Sequence, residues 1–206
     1  ISIHTLGENM LSENPPAAEK VLFPKSPFTQ VGVMSFGLPL WLMEPPDKKK
    51  SFGNPLNKPT DWNKLKALAS AWVRQQGENF PDHFEIYNEP EWQWKGASNE
   101  DLVRVLATIA DGIKAASPKT QVLGPGFSSI RIKDPARLDL TTAKEMGLFD
   151  HLDGLVVHAY VDGSAPEKEF IQRVEELQEF LREIGRPNYP IHITEFGWTS
   201  GKGTWQ

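Results

Sequence analysis

From about residue 30 onward the chain switches repeatedly between two hydrophobic periods. "VGVMSFGLPLW" (31–41) is a short apolar run broken by Gly and Pro, which predicts a buried strand opening into a loop. After a Lys- and Pro-rich stretch, Trp62, Leu65, Leu68, Ala69, Trp72 and Val73 recur at three- and four-residue steps, with Thr60 or Asp61 placed to cap. That spacing predicts an amphipathic helix. "FEIYNEP" (84–90) reads as the next strand. Ser98 and Asp101 form a capping-box-like start to a helix carrying Leu102, Val105, Leu106, Ile109 and Ile113, which stops before Pro118.

The same alternation continues to the end of the chain. "QVLGPG" (121–126) is a strand. Asp134 and Pro135 are expected to open a helix that Gly147 closes, and "LDGLVVHAY" (152–160) follows as a strand. Ser164 and Glu167 repeat the capping box before a helix whose stripe is Phe170, Ile171, Val174, Leu177, Phe180 and Leu181, with Gly185 as its stop. "YPIHITEFGW" (189–198) is the last strand. Apolar strands separated by helices predict a parallel sheet buried on both faces. An open doubly wound sheet usually carries a Gly-rich turn after its first strand, and "GPGFSS" has neither the spacing nor the place for one. Several strands here end in polar or aromatic groups, as they do at the catalytic face of a (β/α)8 TIM barrel. The fold class expected is α/β, of the barrel kind.

Composition narrows the chemistry. The 206 residues are enough for one sizeable core, and residues 1–206 are read as a single catalytic barrel domain or a fragment of one, with 1–30 poorly assigned. A formal net charge of -5 argues against a nucleic-acid surface, which needs a basic patch. No apolar run is long enough to span a membrane, and the chain as given carries no signal peptide. With no Cys there are no disulfides, thiolate ligands or Cys nucleophiles, and the compartment stays open. The five His have no paired ligand spacing, so neither a metal nor another cofactor is expected.

The candidate chemistry lies in two strand ends. Glu89 closes "FEIYNEP" and Glu195 closes "HITEFGW". Either could be a solvated turn residue, since Pro90 or Gly197 can end a ladder without any catalytic purpose. An apolar strand delivering a carboxylate twice is the arrangement glycoside hydrolysis requires. One carboxylic acid protonates the departing oxygen, and the other carboxylate attacks or activates water. Strict alternation puts Asn88 and Glu89 on opposite faces, so the strand must twist, bulge or end there for both to reach one sugar. In "VVHAY", His158 and Tyr160 share a face.

On these motifs, residues 31–198 resemble a clan A glycoside hydrolase. "FEIYNEP" and "IHITEFGW" are most similar to family 39 and its relatives, with family 5 close behind. The resemblance implies a (β/α)8 barrel of which strands 3 to 7 are readable, and a retaining β-glycosidase acting on an oligosaccharide or polysaccharide. It implies Glu89 as acid/base and Glu195 as nucleophile, with Asn88 holding the sugar's 2-hydroxyl. It also implies that Tyr160 hydrogen-bonds the nucleophile while His158 lines the site or serves as a core histidine. Trp41, Trp92, Trp94 and Trp198 follow strand ends and are candidate sugar platforms, whereas Trp62 and Trp72 lie on a helix stripe and are expected in the core.

The chain departs from that pattern at both ends. A complete barrel of this kind runs to about 250 residues. Too little chain follows Glu195 for strand 8, and too little precedes Val31 for two strand–helix units. The Arg that the clan places near the nucleophile from strand 2 has no visible counterpart. The sequence is therefore read as part of a larger chain, with missing barrel segments or a partner chain expected to cover its edges. The substrate class points to a secreted or periplasmic setting. A carbohydrate-binding protein without turnover, and a purely structural piece of an assembly, are the alternatives.

Overall fold

The structure is a computed structural model that describes residues 31–33, 42, 58–90, 94, 98–128, 130, 132–133, 138–161 and 166–198. Five parallel strands form one sheet: β1 (Val31–Val33), β2 (His83–Glu85), β3 (Gln121–Phe127), β4 (Gly154–Val161) and β5 (Ile191–Trp198). Their spatial order is their chain order, and α1 (Trp62–Gln76), α2 (Asn99–Ala116), α3 (Leu140–Glu145) and α4 (Pro166–Glu183) lie in the four connections. A doubly wound sheet reverses its order at a switch point. None occurs among the described strands, and the arrangement is the parallel half of an incomplete α/β barrel.

The sheet is also curled. β2 and β5 are separated by two strands, yet the rings of His83 and His192 approach to 5.9 Å between centroids. Side chains that far apart in strand order meet only on the inside of a barrel wall. On the outside, α1 and α2 pack so closely that a Cβ at Gly112 would lie 2.7 Å from the Lys66 carbonyl oxygen, and Ser70 Oγ donates to the Gly112 carbonyl at 2.7 Å.

The stripes read from the sequence face the core. Leu65, Trp72 and Val73 of α1, Leu102, Val105, Leu106, Ile109 and Ile113 of α2, and Leu177, Phe180 and Leu181 of α4 are all buried. Ile171 is the exception, at 53% exposed, so the buried stripe of α4 starts later than its apolar pattern. The helix starts follow from side chains that satisfy otherwise unpaired N–H groups. Asp61 accepts from the Lys64 N–H and Ser98 from the Asp101 N–H.

One helix start is corrected. The helix expected from Asp134 and Pro135 begins instead at Leu140, because Asp139 is extended and its carboxylate accepts the Thr142 N–H at 2.7 Å. Gly147, at φ 79, and Gly185, at φ 75, adopt the left-handed conformations expected of stops. The Ser164 cap and residues 134–137 lie outside the described residues. At the sheet edge, Ile193 and Phe196 of β5 are 39% and 69% exposed.

Candidate active site

Three breaks in regular strand geometry build one face at the carboxyl end of the sheet. The first is the end of β2. Its ladder stops at Glu85, Asn88 then makes a single bridge to Gly126, and the Glu89 N–H donates to the Gly126 carbonyl at 2.7 Å. Glu89 itself has φ 46, a left-handed conformation uncommon outside Gly and costing about 1–3 kcal/mol. The strand thus ends where alternation would have sent Glu89 away from its neighbour.

The second break is in β5. Val157 pairs with Ile193, but His158 pairs with Glu195, so one extra residue sits in β5 between these pairs. Without that bulge Glu195 would share the outward parity of Ile193. With it, Glu195 comes into register with His158 on the inner face. The third break is in β3, where Leu123 pairs with Gly154 and Gly126 with Val156. The extra residue there keeps Gly126 on the inner face, beneath the side chains that meet above it.

Those side chains are Glu85, Glu89, His158, Tyr160 and Glu195. His158 is fully buried, with Nδ1 2.8 Å from Glu89 Oε1 and 3.6 Å from Glu195 Oε2. The Tyr160 hydroxyl donates to Glu195 Oε2 at 2.8 Å. Glu89 and Glu195 keep 27% and 38% of their side-chain surface exposed, so both carboxylates reach solvent while the imidazole between them does not. One oxygen of each glutamate and one ring nitrogen of His158 lie within 4.8 Å of one another. Such a set of donors is chemically able to hold a divalent cation, although Nδ1 and Oε2 are already engaged with Glu89 and Tyr160.

The charges perturb one another in predictable directions. Burial alone pushes the His158 imidazole down, but contact with Glu85 and Glu89 and the charge of Glu195 outweigh it, raising the group from 6.5 to about 9. The Tyr160 phenol is pushed up to about 12, mainly by its hydrogen bond to Glu195, then by burial and the nearby carboxylates. At the opposite end of the strands His192 is lowered by burial and by His83.

Sequence reasoning missed Glu85. It is fully buried, neither of its carboxylate oxygens has a hydrogen-bond partner among the described residues, and Oε1 lies 3.8 Å from His158 Nε2. The available signal was a charged residue inside the apolar run "FEIY". Trp94, expected as a sugar platform, is instead 9% exposed, belongs to the core and donates its indole N–H to the Ser98 carbonyl at 3.0 Å. Trp72 is buried, and Trp62 packs against the core with the Arg104 guanidinium 4.1 Å from its ring centre. Asn88 is half-buried beside Glu89, Trp198 ends β5, and Trp41 and Trp92 lie outside the described residues. No described helix is long and apolar enough to cross a membrane.

No protein-family model and no curated protein match the chain. Similar solved structures do exist. A glucosidase from Croceicoccus marinus superposes with TM-score 0.60 at 15% identity, over 86% of this chain and 36% of the glucosidase. A variant of BuGH86 in complex with neoagarooctaose superposes with TM-score 0.57 at 15% identity, over 83% of this chain and 32% of that one. The chain spans about a third of the length of these structures. At such identity the likeness is one of fold, and the shared fold is found in glycoside hydrolases.

Proposed function

We propose that this chain carries the catalytic carboxylates of a retaining β-glycosidase that cleaves a β-linked oligosaccharide or polysaccharide. The observation that carries the reading is the convergence of two strand-end glutamates on one buried imidazole, with an oxygen of each within 4.8 Å of its ring nitrogen. Inverting enzymes hold their carboxyl groups about 6.5–9.5 Å apart to admit a water, whereas retaining enzymes need only about 5–5.5 Å. The compact arrangement favours the second.

In this reading Glu195 attacks the anomeric carbon while Glu89 gives its proton to the departing glycosidic oxygen. An ester forms at Glu195 as the alcohol leaves. Glu89, now a carboxylate, takes a proton from water as that water's oxygen attacks the ester carbon of the sugar, which frees Glu195 and restores the acid. Tyr160, donating to Oε2, leaves the other oxygen of Glu195 to attack. Asn88, beside the acid, is assigned the sugar's 2-hydroxyl, and Trp41, Trp92 and Trp198 are assigned to the sugar platforms.

A second reading is a carbohydrate binder without turnover. Among the described residues only His158 brings a cation within ion-pair distance of the two carboxylates, so the usual Arg has no stand-in there. One experiment separates the readings. The intact protein is incubated with activated aryl β-glycosides, and Glu195→Ala and Glu89→Ala are assayed beside it, the latter with and without azide. The glycosidase reading expects aryl alcohol release, its loss in Glu195→Ala, and a glycosyl azide from Glu89→Ala. Full activity in Glu195→Ala overturns it, and sugar binding without release favours the binder.

A further inference from the structure

The proposed reaction gives no step to His158 or to the carboxylate behind it, Glu85. It sits on β2 with no exposed surface, and a buried carboxylate without partners is costly unless it is paired with charge. The cation within ion-pair distance of it among the described residues is His158, whose Nε2 is also buried and without a hydrogen bond. The two approach because β3 contributes no side chain between them. A Cβ at Gly126 would lie 2.2 Å from Glu85 Oε1 and 2.8 Å from His158 Nε2.

The other face of the imidazole is occupied by acceptors. Glu89, from the turn after β2, and Glu195, from β5, both present oxygens to Nδ1, so a proton belongs on Nδ1. Tyr160, on the same strand as His158, donates its hydroxyl to Glu195 and does not compete for the ring. The second ring proton is then decided between Nε2 and Glu85. Glu85, together with whichever of Glu89 and Glu195 is ionised at that step, favours the cation.

We propose that Glu85 is a positioning residue whose buried carboxylate keeps His158 doubly protonated, so that Nδ1–H stays directed at Glu89 and Glu195 through both halves of the reaction. The proposal rests on the glycosidase reading for its purpose, but not for its test. When Glu195 loses its charge on forming the ester, Glu85 still holds the imidazolium in place. In the same step Glu89 becomes a carboxylate, so the negative charge beside Nδ1 passes between the two glutamates while that of Glu85 stays.

The sign of the pH dependence follows from the raised His158 value. Charge on the ring is complete below its ordinary 6.5 and is lost as pH rises through about 9. The experiment is ¹⁵N NMR of the His158 ring, with the pH profile of kcat/KM, in the intact wild type, Glu85→Gln and Glu85→Asp. An opposite charge at this range moves a titration by about 1–3 units. Glu85→Gln is therefore expected to lower the His158 midpoint by about 1–3 units, and the alkaline limb of kcat/KM should move the same way with KM little changed. Glu85→Asp, which keeps the charge, should retain most of the wild-type position.

An unmoved midpoint, or activity lost equally at every pH, overturns the proposal. Should Glu85→Gln not fold, the wild type still decides: two protonated ring nitrogens at pH 7.5 support the assignment, and one overturns it. The NMR result holds whether or not a sugar is cleaved, so it is distinguishable from failure of the glycosidase reading, which Glu195→Ala reports.

Discussion

Tyr160→Phe removes one oxygen and leaves the ring, and with that oxygen goes the hydrogen bond of 2.8 Å to Glu195 Oε2. A hydrogen bond to a charged group contributes about 1.5–3 kcal/mol. Tyr160 is 36% exposed, and water can take over part of the lost interaction, so the lower end applies. About 1.5 kcal/mol is roughly a tenfold loss in kcat/KM. The assay is steady-state hydrolysis of aryl β-glycosides by the intact protein, with a denaturation curve for each variant.

The pH axis sharpens that prediction. The phenol is pushed up to about 12, chiefly by Glu195, so it stays protonated wherever the enzyme works and contributes no limb of its own. Tyr160→Phe should lower the whole profile without changing its shape below about pH 10, and the folding midpoint should barely move. Wild-type activity in the variant would show that the hydroxyl does nothing for the nucleophile. A loss of a thousandfold or more, or a displaced limb, would mean that Tyr160 handles a proton, and the division of labour proposed for Glu89 and Glu195 would fail.

Two further outcomes test the same geometry. Gly126→Ala places a methyl 2.2 Å from Glu85 Oε1, in a layer where Glu85 and His158 have no exposed surface to yield. It should destabilise by about 1–3 kcal/mol in denaturant titration and depress activity with it, and a variant as stable and active as wild type would contradict the packing described. Chelation of divalent cations should leave aryl glycoside hydrolysis unchanged. A loss that added metal restores would assign Glu89, His158 and Glu195 to a cation in place of a sugar.

Much of this architecture was legible in the chain because it is set by period and by caps. The stripes of α1 and α2, the starts at Asp61 and Ser98, and the stops at Gly147 and Gly185 each follow from a local rule that the neighbouring residues do not oppose. The errors fell where local rules competed. Asp134 with Pro135 is expected to open a helix, whereas the bond from the Thr142 N–H to Asp139 sets its start at Leu140. Ile171 fits the helical period yet lies where the rest of the fold leaves it uncovered. Trp94 follows a motif that suggests a sugar platform, but its burial and its bond to Ser98 are tertiary facts.

The site was legible in a different way. Glu89 and Glu195 could be singled out by their position at strand ends, but strand period alone misdirects Glu195, whose parity is that of Ile193. The bulge between the pairs Val157–Ile193 and His158–Glu195 reverses it, and nothing in "IHITEFGW" announces a bulge. The irregularity in β3 and the left-handed turn at Glu89 act on the same face. If only stability were selected, three departures from regular pairing would have no reason to converge on one end of one sheet. They bring a fully buried glutamate, a glycine, an imidazole and two solvent-reaching carboxylates into contact, and relaxing the bulge in β5 would turn Glu195 toward the helices. Local strain and mispairing at this end are thus offset by the packing of the rest, as expected where a fold gives up regularity to aim side chains.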